Sequence, residues 1–194
     1  MNDTLSAAAL AGGLAWASGI RLYMALFVAG WFSRLGLIDL PDALKVLASP
    51  WVMGATLLLL VIEFLADKIP GFDSVWDAIH TFIRIPAGAV LAAAALGQMD
   101  PTWTTIAALA GGTIAASSHF TKAGARALIN TSPEPLSNWT ASLTEDASVA
   151  TALWAMFFHP ALLLTLLALF FLLALWLLPK LWRGMRWLVA RLSV

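Results

Sequence analysis

Asp73, Asp77, His80 and Arg84 stand four, three and four residues apart. That spacing lays them along one face of a helix. His119, Lys122, Arg126 and Asn130 repeat the pattern at three, four and four, while Glu63 and Asp67 lie four apart on another segment. Arg21 follows Gly19 inside an otherwise apolar stretch. Carboxylates beside an imidazole are suited to taking up a proton or a cation, which points to Asp77 with His80, Glu63 and Asp67. Lys122 and Arg126 are suited to attracting an anion. Arg21 beside Gly19 marks a place where a helix can unwind and offer its carbonyls to an ion, as discontinuous transporter helices do.

The segments carrying these residues are those of a membrane protein. Of 194 residues, 61% are hydrophobic and 11% charged, and the mean hydropathy is +0.86. A soluble domain has roughly 25% charged residues and could not hide so much apolar surface. Eleven Lys/Arg balance eleven Asp/Glu, which argues against nucleic acid as a partner. The absence of cysteine excludes disulfides and thiolate chemistry. The start, with no basic region and no cleavage site, does not read as a signal peptide.

Apolar stretches run over Thr4–Ser33, interrupted by Arg21, then Ala48–Ala66, Val75–Gly97 and Trp103–Ile129. Ala147–Leu178 is uncharged but too long for one straight crossing, and His159-Pro160 offers a break. Two segments, about 143–158 and 160–178, are therefore expected, with one kinked helix as the competing reading. Asp100-Pro101 reads as an N-cap followed by proline at the first helical position, and Ser142-Leu-Thr-Glu145 as a capping box. Leu10–Ser18 and Leu109–Ser117 share six of nine residues, including paired glycines. The expected fold is an all-α polytopic membrane helix bundle of about six segments with an inverted 3+3 repeat. Residues 1–179 form one domain with candidate repeats at about 5–97 and 103–178, and 180–194 form a basic interfacial tail. Lys180, Arg183, Arg186 and Arg191 place both termini on the cytoplasmic side of the membrane.

Each polar residue also has a structural reading. Asp73 and Asp77 suit the first turn of a helix, Glu145 and Asp146 a capping box and helix dipole, and Lys68, Arg84, Lys122 and Arg126 headgroup contacts. His159 suits a segment boundary, and the ten tryptophans mostly suit membrane-boundary anchoring. Yet an ionisable group within a bilayer costs roughly 2.5–3.5 kcal/mol on insertion scales, which makes the striped residues candidates for function.

The block Glu63-Phe-Leu-Ala-Asp-Lys-Ile-Pro-Gly-Phe-Asp-Ser-Val-Trp-Asp-Ala-Ile-His-Thr-Phe-Ile-Arg-Ile-Pro-Ala-Gly-Ala89 resembles the signature of the domain of unknown function 4126 family. Asn130–Asn138 (NTSPEPLSN) and the Glu145-Asp146 pair resemble its second half, so the likeness spans roughly residues 10–160. The resemblance implies an uncharacterised bacterial integral membrane protein. It marks Glu63, Asp67, Lys68, Asp73, Asp77, His80, Arg84, His119, Lys122, Arg126, Asn130 and Glu134 as motif positions, without roles.

The expected function is a small permease or channel-like transporter for an ion or small polar solute. Arg21, Glu63, Asp67, Asp77, His80, Arg84, His119, Lys122, Arg126 and Asn130 would form its polar pathway. Two rivals stand beside it. One is a membrane-embedded enzyme or binder acting on a lipid-linked substrate, its phosphate held by His119, Lys122 and Arg126. The other is a structural subunit whose ion pairs lock the bundle. No catalytic motif or cofactor is indicated, no spacing singles out a metal site, and an enzyme is the lesser expectation. The expected partners are the bilayer and an unidentified ion or polar solute, in a bacterial inner membrane; an oligomer stays open.

Overall fold

A computed structural model describes residues 3–69, 71–97, 100–131 and 135–192, and the motif residue Glu134 lies outside them. Six long helices make up the chain: α1 (Asp3–Arg34), α2 (Pro50–Ala66), α3 (Phe72–Ala95), α4 (Pro101–Ile129), α5 (Pro135–Phe158) and α6 (Pro160–Leu192). A single 3-10 stretch, Asp42–Ala48, precedes α2. Proline opens α2, α4, α5 and α6, where the missing amide costs no intrahelical bond. Asp100 caps α4, accepting from the Thr102 amide at 2.8 Å. Between α2 and α3, Gly71 takes the left-handed φ of 82° that side chains avoid.

α1 is the central element, in contact with each of the other five helices. Small residues let it sit there. A Cβ on Gly19 would strike Ser118 Oγ and the Ala115 carbonyl of α4, and one on Gly13 would meet Met156 and Leu163 of α5 and α6. Gly88 and Gly111 allow the same close approach between α3 and α4. The apolar core joins Leu14 of α1 to Val149 and Leu153 of α5 and Leu163 of α6. The outer faces of α2 and α6 are apolar and exposed, with Leu58, Leu65, Leu172 and Leu175 turned away from the protein. That polarity pattern belongs in a bilayer.

By length and composition α1, α3 and α6 can each cross a membrane, and the 3-10 stretch with α2, bent by 68°, makes a fourth candidate span. α4 and α5 are not in that set, their apolar stretches being diluted by Thr, Ser and Gly. The break at His159 bears out the two-segment expectation for 143–178, although both helices are longer than expected. α5 begins at Pro135, so Ser142–Glu145 lies mid-helix and is not a capping box. α6 continues to Leu192, so the basic tail is a helical extension with Pro179 inside it. Trp16 is buried, and Trp76 packs inward on His80 with ring centroids 4.1 Å apart. Those two tryptophans are not boundary anchors.

Candidate ion-binding site in the bundle interior

The polar faces of five helices meet. α1 supplies Arg21, α2 Glu63 and Asp67, α3 Asp73, Asp77 and Arg84, α4 Lys122 and Arg126, and α5 Glu145 and Asp146. Arg21, Glu63, Asp67, Asp73, Arg84 and Arg126 are completely sealed from solvent, with Asp77 and Lys122 nearly so. Buried charge of this kind persists only when paired. Arg84 reaches Glu63 Oε1 at 2.5 Å and Asp77 Oδ1 at 2.6 Å. Lys122 Nζ lies 3.2 Å from Asp77, 3.0 Å from Asp67 and 3.6 Å from Glu145. Arg21 bridges Asp67 at 2.5 Å and Asp146 at 2.8 Å. Arg126 donates to both Glu145 oxygens, at 2.9 and 3.0 Å, and stands 3.7 Å from Asp73. The contacts form one continuous network.

Its balance is uneven. Six carboxylates meet four cations. Lys68 stands at the edge of this set: its ammonium sits over the Phe64 ring, 3.0 Å from the centroid, donates to the Phe64 carbonyl, and acts on Asp146 through space. One oxygen each of Glu63, Asp67, Asp73 and Asp77 is buried without a hydrogen-bond partner. Among the described residues no three acidic or imidazole groups come close enough to hold a metal ion, because cations stand between them.

The local sequence explains how α1 can carry Arg21 into this centre. At Arg21 the backbone leaves helical geometry, with φ −139° and ψ 72°. The break frees carbonyls for α4: the Ile20 oxygen accepts from Lys122 Nζ at 3.3 Å, and the Gly19 oxygen lies 3.3 Å from His119 Nδ1. The unwound position expected beside Gly19 is present, and α4 side chains already occupy its carbonyls.

The remaining expected site residues border the network. His119 contacts Thr81 Oγ1 at 2.7 Å and Arg84 Nη1 at 3.4 Å. His80 lies one layer out, with one ring nitrogen at the Trp76 carbonyl (2.8 Å) and the other at the Tyr23 hydroxyl (3.1 Å). Asn130 donates to Asp73 Oδ1 at 2.8 Å and accepts from Asn138, whose own oxygen accepts from Arg126. Sequence reasoning assigned Ser142, Glu145 and Asp146 to a helix start, placed Asn138 in a motif without a role and passed over Tyr23; Ser142 accepts from Arg21 at 2.9 Å. The signal for Glu145 was its seat in an uncharged 147–178 neighbourhood, where an acid needs an inward partner.

The model of the family described as "Domain of unknown function (DUF4126)" matches residues 8–180. The chain belongs to the DUF4126 family. All of the networked charges lie inside the DUF4126 match, as does every helix except the start of α1 and the end of α6. No curated protein and no solved structure matches the chain.

Proposed function

We propose that this DUF4126 protein is a small membrane transporter whose buried charge network takes up and releases a proton, with Glu63 as the acceptor. The supporting observation is a network of six carboxylates and four cations in which Glu63 is completely sealed from solvent, while Glu145 and Asp146 at its edge are partly exposed. An unpaired carboxylate in such surroundings is neutralised rather than left charged. Glu63 fits because Arg84 is its one ion-pair partner among the described residues and its Oε2 is unpartnered. The helix break at Arg21 supports the reading, because discontinuous helices of secondary transporters hold ions at such breaks, and a six-segment inverted 3+3 arrangement in a bacterial inner membrane is part of the proposal.

The rivals fit less well. A phosphate-binding enzyme needs free cations, yet Lys122 and Arg126 are each shared among carboxylates. A purely structural lock needs matched charges, and with the partly exposed Glu145 and Asp146 the network has six acids to four cations. The test is flux in proteoliposomes with a trapped pH dye, under an imposed proton gradient, with and without a panel of amine, carboxylate and sugar solutes. Protein-dependent proton movement that Glu63→Gln abolishes is the expected result. Folded protein that moves neither protons nor any solute would leave only the structural role.

A further inference from the structure

Beside the charge network lies a cavity of about 640 Å³ among α1, α4, α5 and α6, bordered by Lys122 and Glu145. A second of about 580 Å³ follows the crevice between α5 and α6. The two share Trp16, Thr144, Ser148 and Phe170, so they form one elongated space with a charged end and an apolar end. Leu163, Leu166 and Leu167 line the apolar part.

We infer that this space binds a protonated amine carrying an apolar body. Four features select that chemistry. First, Thr140, Thr144, Ser148 and Thr121 each donate their hydroxyl proton to a carbonyl four residues earlier, at 2.7 to 3.0 Å. Their lone pairs remain, so this wall accepts hydrogen bonds and suits a ligand that donates them. Second, Glu145 is the networked acid that borders the cavity, its side chain 16% exposed, with its oxygens shared among Arg126, Lys122 and Arg21. Third, the Lys122 ammonium is 1% exposed and held by Asp67, Asp77 and the Ile20 carbonyl, which leaves little of it for an anion. Fourth, Trp16 and Phe170 meet edge to face, 5.6 Å between centroids, on the wall common to both cavities. Aromatic faces there favour a cation over an anion.

The inference names a substrate class for the proposed transporter and rests on that proposal only for the transport step. Binding is therefore tested alone, by calorimetry on the full chain in nanodiscs, with empty nanodiscs as the blank. The probes are 4-phenylbutylamine, 4-phenylbutanol and 4-phenylbutyrate, which share one body and differ in head group. The amine is expected to bind at least tenfold more tightly than the alcohol, and the carboxylate most weakly. Thr144→Val with Ser148→Ala, a change on an exposed face, should weaken the amine severalfold and the alcohol, with one donor in place of three, less. Glu145→Gln should weaken the amine at least tenfold. Equal affinity for all three heads, tighter binding of the carboxylate, or no binding above the blank would overturn the inference. Amine binding without flux would instead count against the transporter, and proton flux without amine binding against this site alone.

Discussion

Replacing Arg84 by Gln and replacing Glu63 by Gln remove opposite ends of one buried ion pair, yet they should differ sharply in cost. Arg84 holds Glu63 at 2.5 Å and Asp77 at 2.6 Å, with all three groups shut off from solvent. Without the guanidinium, Glu63 has no ion-pair partner among the described residues, and Asp77 keeps Lys122 at 3.2 Å. In alkaline medium, where Glu63 has lost its proton and where the comparison is made, removing one member of a buried pair costs about 3–5 kcal/mol, because the other charge is stranded. Glu63→Gln strands nothing: Arg84 stays paired with Asp77, and the negative surplus falls. Its cost should be near that of one altered hydrogen bond, about 1 kcal/mol. In Arg84→Gln/Glu63→Gln the stranded acid is gone, so the double variant should be more stable than Arg84→Gln alone, with a coupling within the 0.5–3 kcal/mol seen for contacting residues. Denaturant titration of the three variants in mixed micelles, followed by tryptophan fluorescence, reads these differences. Equal losses for the two single variants, or a double variant that merely adds them, would refute the reasoning that acids are in surplus.

Other expectations follow from the same geometry. Gly19→Ala should destabilise by about 1–3 kcal/mol, since its Cβ overlaps Ser118 and the Ala115 backbone, and unfolding titration checks it. Gly54→Ala, with open space around the new methyl, should stabilise by about 0.5–1 kcal/mol in the same assay. Arg21→Lys should fail to restore an Arg21→Ala loss, because one ammonium cannot span Asp67, Asp146 and Ser142 as the guanidinium fork does. At the start of α4, hydrogen bonds from the Thr102 hydroxyl and amide hold the Asp100 carboxyl below its ordinary range. A lowered native pKa means that this cap's support is present above the ordinary carboxylate value and lost as pH falls through the lowered one. Hydrogen exchange at the first turn of α4 should therefore accelerate in acid, and at neutral pH in Asp100→Ala.

The helical stripes were legible because spacing in a helix fixes direction. Asp73, Asp77, His80 and Arg84 share a face, and so do His119, Lys122, Arg126 and Asn130, and the bilayer leaves such faces nowhere to turn but inward. The break beside Gly19 was legible for a related reason, since an arginine in an apolar run has to be brought to its partners. The start of α5 was not. Asn130–Asn138 reads as a two-proline connection, but Pro135 opens a helix, and Ser142–Glu145 fits a capping box as well as it fits a buried face. The hydroxyls of Thr140, Thr144 and Ser148 gave no sequence signal, because a hydroxyl that bonds its own helix is equally at home against lipid or a cavity. Trp16 was read as an anchor because tryptophans at membrane borders are common, and only the packing of α6 against α1 shows it enclosed.

Infrared difference spectroscopy of the protein in nanodiscs, stepped between acid and alkaline pH, follows the carbonyl band of a protonated buried carboxyl directly. With acids outnumbering cations, the band should be present at neutral pH, fade as the medium is made alkaline, and weaken clearly in Glu63→Gln. No such band at neutral pH, or one that Glu63→Gln leaves unchanged, would contradict the assignment of a proton to this carboxylate.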